Sequence, residues 1–310
     1  MQRAYVTALY EILKKDRNVI SCLSDSGTDY DELIAREFPD QVVNFGISEN
    51  NQLAAAAGMA AAGKIPFVYT TGAFIVYRSY EFLRDDICLQ NRNVKLIGMG
   101  TGLAWSTLGA THHTTEDLAP LRALPNLTVI TPATPRELTG AVRAAYEIQG
   151  PVYIRMGMSG EEEFFDETYT FTPGKIVPMR EGNGLTVFTA GSILSEVMKA
   201  ACLLEQEGIS ARVINVHTMK PLDSDGILRE CERPGLFFSV EEHNILGGIG
   251  TAIADLCVSR GLPVRLTKIG LEDAFASGFG TREEVLAQNR LDAAGIFRKI
   301  SDRIKNGLPQ

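Results

Sequence analysis

Short, almost unbroken hydrophobic runs alternate along the chain with longer stretches of mixed polarity. In the first half the runs are VISCLS (19–24), PFVYT (66–70), VKLIGM (94–99), LTVI (127–130) and PVYIRM (151–156). Lacking polar alternation, such runs suit strands buried on both faces, as in a parallel sheet covered by helices. A polar, proline-marked stretch, GMSGEEEFFDETYTFTPGKIVPMREGNG (157–184), interrupts the rhythm. It restarts with LTVFTAG (185–191), ARVINV (211–216), GLFFSVEE (235–242) and VRLTKIG (264–270), with helices expected near 193–208 and 248–260. Pro221, just after VINVHTMK, suits a loop at a strand's end. The pattern predicts two doubly wound α/β domains, 1–158 and 180–310, with a linker over 159–179.

Composition agrees with that division. A chain of 310 residues exceeds one ordinary core, and 45% hydrophobic with 22% charged residues is usual for a globular protein. The formal charge of -8 argues against nucleic acid or an anionic membrane as partner. Cys22, Cys88, Cys202, Cys231 and Cys257 are scattered, so free buried thiols are expected, with no disulfide framework and no zinc site. The N-terminus shows no apolar signal core, and no window reaches the roughly 18 apolar residues that span a bilayer, so a cytoplasmic protein is expected.

Candidate chemistry begins at GISENNQLAAAAGMAAAG (46–63). Ser48 suits an N-cap whose hydroxyl accepts from free backbone N–H groups, which places Glu49 in the first helical turn. An acidic residue there is ordinary, because the helix dipole favours it. The alanine run that follows reads either as a cramped core helix or as a subunit-interface helix. Downstream lie Phe74, Tyr77 and Tyr80, spaced F-x-x-Y-x-x-Y, and then GATHH, ending in His112 and His113. Aromatic residues three apart share a helical face and can wall a flat heterocycle, or form a core stripe. His112, His113, Glu116 and Asp117 offer a weak alternative as metal ligands. GMGTG (98–102) lacks the spacing of a dinucleotide fingerprint, and GGIG (247–250), opening a helix, could accept an anion.

In this order, NFGISENN, the aromatic triplet and GATHH resemble the C-terminal half of transketolase, its pyrimidine-binding domain followed by its C-terminal domain. The resemblance covers nearly the whole chain. It implies that Glu49 meets N1′ of thiamine diphosphate, with Phe74, Tyr77 and Tyr80 around the aminopyrimidine ring. A carboxyl group shielded from water can share a proton with a ring nitrogen, favouring the imino tautomer that removes the thiazolium C2 proton. His112 then lies near the substrate carbonyl and assists proton movement. Arg155 holds a terminal anion such as phosphate or sulfonate, and Arg3 enters as a second anion contact. His113 is expected to be structural or supporting, and His243 to have little part in the site.

Two departures shape the expected function. The chain has no G-D-G motif followed by a distant Asn, the family's magnesium and diphosphate site. The resemblance therefore implies a split enzyme whose N-terminal-half subunit supplies that motif and binds Mg2+, assembled as α2β2 around a dimer of this subunit. No metal ligand is expected on this chain. Second, sugar-reading positions differ: Leu108 replaces an aspartate, Gly100 a histidine, and Asp29 or Thr28 a phosphate-side serine. Such losses alter selection among hydroxyls. The expected activity is transfer of a two-carbon ketol unit from a phosphorylated, sulfonated or otherwise modified ketose to an aldose. The alternatives are the E1 β subunit of a 2-oxoacid dehydrogenase, a deoxyxylulose-phosphate synthase-like half, and a catalytically silent structural subunit.

Overall fold

A computed structural model describes residues 1–25, 29–158 and 161–306. The chain forms two compact units: Met1–Thr101 with Pro120–Pro173, and Gly102–Ala119 with Gly174 onward. The segment 102–119, which lies within the first half of the sequence, thus belongs to the second unit.

Among the described residues, the first unit carries six strands: β1 (Val19–Leu23), β2 (Val42–Asn44), β3 (Ile65–Thr71), β4 (Lys95–Met99), β5 (Thr128–Ile130) and β6 (Val152–Met156). Within the unit they run β5-β6-β4-β3-β1-β2, each pairing parallel. Every residue of β1, β4 and β6 is buried, as their unbroken hydrophobic runs predict. The helices are α1 (Gln2–Lys15), α2 (Asp29–Glu37), α3 (Glu49–Ala61), a single turn α4 (Tyr80–Phe82), α5 (Leu118–Ala123), where the chain re-enters this unit, and α6 (Pro135–Glu147). α1 packs beside α6, and α3 lies against β3. Leu9, Leu13, Leu53, Phe67 and Ile97 are fully buried, each aliphatic side chain contributing about 1.5–3 kcal/mol of transfer free energy.

One buried cation sits at the start of β4. The Lys95 ammonium donates to Asn93 Oδ1 at 2.6 Å, Ile148 O at 2.6 Å and Gly150 O at 2.8 Å. All three of its protons find acceptors, and it ties β4 to the turn between α6 and β6.

In the second unit, β7 (Val177–Arg180), β8 (Leu185–Thr189) and β9 (Ala211–Asn215) precede a short strand β10 (Thr218–Lys220), then β11 (Leu236–Asn244) and β12 (Leu266–Leu271). The sheet order is β12-β11-β8-β9-β7. All pairings are parallel except β7 with β9. Strand β7 falls where the sequence reads as a polar segment. Pro178 cannot donate to a ladder, which suits the edge position that β7 holds. The helices are α7 (Leu194–Gln206), α8 (Ser224–Cys231), α9 (Ile249–Ser259), α10 (Arg282–Gln288) and α11 (Ala293–Lys305). Among the described residues no helix is long and apolar enough to cross a membrane. All five cysteines are free, and Cys202 alone is exposed rather than buried.

Candidate active site

The parallel strands of the first unit deliver the chain to helix starts at their C-terminal ends, and one of these starts is Glu49. After β2, Gly46 takes φ +63°, a left-handed turn that glycine adopts freely, and Asn44 Oδ1 accepts its N–H at 2.8 Å. Ser48 then occupies the N-cap of α3, but its hydroxyl makes no cap hydrogen bond. It donates instead to Phe45 O at 2.7 Å, tightening the turn rather than the helix. This corrects the capping expected from the sequence.

Glu49 is 3% exposed, although it stands in the first helical turn. Its Oε2 accepts from Arg78 Nη1 at 2.8 Å, while Arg78 itself is about half exposed. The Arg78 guanidinium carbon lies 4.7 Å from the centre of the Phe74 ring, within cation–π range. Sequence reasoning missed Arg78; its signal was a lone cation inside the aromatic cluster, next to Tyr77. On the same helix, Gln52 Nε2 donates to Cys22 O at 2.8 Å, fixing α3 to the end of β1.

The aromatic triplet does not lie on one regular helix. Phe74–Arg78 forms a π turn, Ser79 breaks it at φ −108°, ψ 18°, and a single α turn starts at Tyr80. Extra residues inserted into a helical turn often accompany functional sites. Tyr77 is 42% exposed and Phe74 and Tyr80 are half-buried, whereas Ile75, Val76 and Ser79 are buried. The three rings do not form a core stripe. Tyr80 donates to Pro120 O at 3.1 Å, and burial raises its pKa. The Ser79 hydroxyl donates to Asn50 Oδ1 at 2.9 Å, joining the π turn to α3 beside Glu49.

Of the other site candidates in this unit, Arg155 is buried on β6, in register with Gly98 of β4, and Arg3 is exposed on the first turn of α1. Gly100 has φ +67°, a conformation that glycine favours. Thr28 lies outside the described residues.

His112 belongs to the second unit, on the segment 102–119. Its Nδ1 lies 3.0 Å from the Thr111 hydroxyl, and its ring meets Trp105 edge-on at 6.5 Å. Leu108 is exposed on the same loop. His113 is buried, and desolvation lowers its pKa. His112, His113, Glu116 and Asp117 do not gather as a metal-ligand cluster among the described residues.

The helix start opened by GGIG is already filled. Glu241 accepts from Ile249 N at 2.7 Å and Gly250 N at 3.2 Å, so the protein's own carboxylate takes the anion position at the start of α9. His243, buried beside it, donates from Nδ1 to Asn244 O at 2.6 Å and accepts at Nε2 from Leu118 N at 3.1 Å. Both of its ring nitrogens are spent on structure.

A buried carboxylate thus stands at a helix mouth on a parallel α/β unit, tied through Arg78 to the half-buried ring of Phe74. The sequence matches the pyrimidine binding domain of transketolase over residues 1–159 and the transketolase C-terminal domain over 174–296. The chain belongs to the transketolase family, whose members are thiamine-diphosphate-dependent transferases. It is 30% identical over 306 residues to a subunit of the apulose-4-phosphate transketolase of Phocaeicola vulgatus, covering 98% of this chain and 97% of that one. With the 6-deoxy-6-sulfo-D-fructose transketolase subunit SqwH of a Clostridium species it shares 32% identity over 276 residues, covering 89% and 85%. A solved split-gene transketolase, described as an inactive β4 tetramer, superposes with a TM-score of 0.87 at 32% identity, covering 98% of this chain and 97% of that one.

Proposed function

We propose that this chain is one subunit of a split, thiamine-diphosphate-dependent transketolase acting on a ketose with a modified, anionic terminus. Residues 1–158 serve as its pyrimidine-binding domain and 180–310 as its C-terminal domain, with 159–179 as linker. The observation that carries this reading is Glu49, a carboxylate 3% exposed at the mouth of α3, linked through Arg78 to the half-buried ring of Phe74. Those residues fit an aminopyrimidine, which needs a buried carboxyl group to share a proton with one ring nitrogen and flat apolar contact on its faces.

When bound, the cofactor supplies a carbon nucleophile able to break and form C–C bonds beside a carbonyl. Glu49 holds the proton shared with N1′, and Phe74, Tyr77 and Tyr80 orient the ring. His112 would give a proton to a sugar oxygen and take it back later in the cycle. Arg155, with Arg3 as a second contact, grips the distal phosphate or sulfonate.

An N-terminal-half subunit carrying the G-D-G motif holds the diphosphate and Mg2+, in an α2β2 assembly in the cytoplasm. Subunit names among the relatives support a divided enzyme, and the β4 tetramer of the solved relative supports self-association. Two of these relatives are named for apulose 4-phosphate and for 6-deoxy-6-sulfo-D-fructose, which accords with the altered positions Leu108 and Gly100.

Glu49→Gln tests the reading in the complex reconstituted with the N-terminal-half subunit. The variant is expected to keep the wild-type circular dichroism and to lose at least about 10²-fold in ketol transfer, the scale of a lost proton-transfer group. Transfer at the wild-type rate would sink the assignment.

A further inference from the structure

Arg78 presents to Glu49 and Phe74 the two contacts that the cofactor's ring requires. It offers an N–H donor 2.8 Å from the buried carboxylate and a flat cationic face over the Phe74 ring at 4.7 Å. We infer that Arg78 is an internal stand-in for the aminopyrimidine, occupying the Glu49–Phe74 seat in the cofactor-free enzyme and swinging out when the ring enters. This rests on the proposed thiamine diphosphate site.

The asymmetry of the pair says which partner moves. Glu49 is 3% exposed and Arg78 49%, so the carboxylate cannot find water while the guanidinium can. A buried carboxylate left without a partner is costly, whereas an arginine on a flexible stem returns to solvent easily. The backbone on either side is anchored: Ile75, Val76 and Ser79 are buried, and Ser79 is bonded to Asn50 of α3. The exchange is therefore a change of side-chain rotamer, not a refolding of the π turn. A planar guanidinium suits the role, since it stacks and donates at once, which an ammonium does not.

A self-occupied site weakens apparent affinity by the fraction of molecules that are competent. Thiamine diphosphate is titrated with Mg2+ into the complex of the full chain and its N-terminal-half partner, with binding followed by calorimetry. Arg78→Ala is expected to tighten binding about three- to tenfold, and Arg78→Lys by less, since the ion pair survives without the stacked fork. Melting should separate the states too. Without cofactor Arg78→Ala lowers the midpoint relative to wild type, and at saturating cofactor the difference closes.

Unchanged or weaker binding by Arg78→Ala overturns the stand-in and makes Arg78 a spectator or a cofactor contact. If the wild-type complex binds no thiamine diphosphate, the proposed function itself falls.

Discussion

The Glu242 carboxylate accepts the backbone N–H of Leu103 at 2.6 Å, and its other oxygen pairs with Arg282. Through these bonds β11 fastens the start of the loop that carries His112. Gly102, at φ +66°, makes room for the contact, because a Cβ there would stand 2.7 Å from the carboxyl group. Removing the acid strands a buried N–H and a partly buried guanidinium together. Glu242→Ala should cost about 2–4 kcal/mol in urea unfolding, the range for breaking a buried hydrogen-bonded ion pair. It should also lower ketol transfer although it touches no substrate. Wild-type stability in the variant would show that the loop is held by other contacts.

Arg155 yields a prediction on substrate charge. It is 6% exposed on β6, and in the proposed role its guanidinium holds a phosphate or sulfonate with directed, charge-assisted hydrogen bonds. Arg155→Met should raise KM for an anionic ketose about 10- to 100-fold with a smaller change in kcat, and should leave KM for a neutral ketose near wild type. Equal effects on both donors would make the residue structural. A melting curve separates that outcome from loss of fold.

The strands were legible because burial on both faces leaves no polar position to interrupt VISCL, KLIGM or VYIRM. The short or half-buried strands β2 and β7 carried no such run and passed unread. The place of Glu49 in the first turn of α3 was legible, but its pairing with Arg78 was not, because the π turn that carries Arg78 leaves no periodic trace. The Ser48 hydroxyl was misread for a related reason: cap residues offer two local hydrogen-bonding choices, and here the Phe45 carbonyl wins. Assignment of 102–119 to the second unit depends on contacts such as Leu103 with Glu242, distant in sequence and invisible to local pattern.

Lys95 gives the last prediction, one of sign. Burial pulls its pKa down from the usual lysine range to about 7, against the three oxygens that accept from its ammonium. The unfolded chain titrates near 10.4. Below about pH 7 both states carry the proton and the folded state bears the full desolvation penalty. Between about pH 7 and 10 the unfolded state binds more protons, so this group makes the protein more stable as pH rises. Lys95→Met loses three hydrogen bonds and the titration with them. Subtracting its unfolding free energy from that of wild type cancels the other titrating groups. That difference should grow by about 2–3 kcal/mol in favour of wild type from pH 7 to pH 9, at 1.36 kcal/mol per pKa unit. A difference independent of pH would mean that the three acceptors keep Lys95 charged throughout, and that hydrogen bonding outweighs burial at this position.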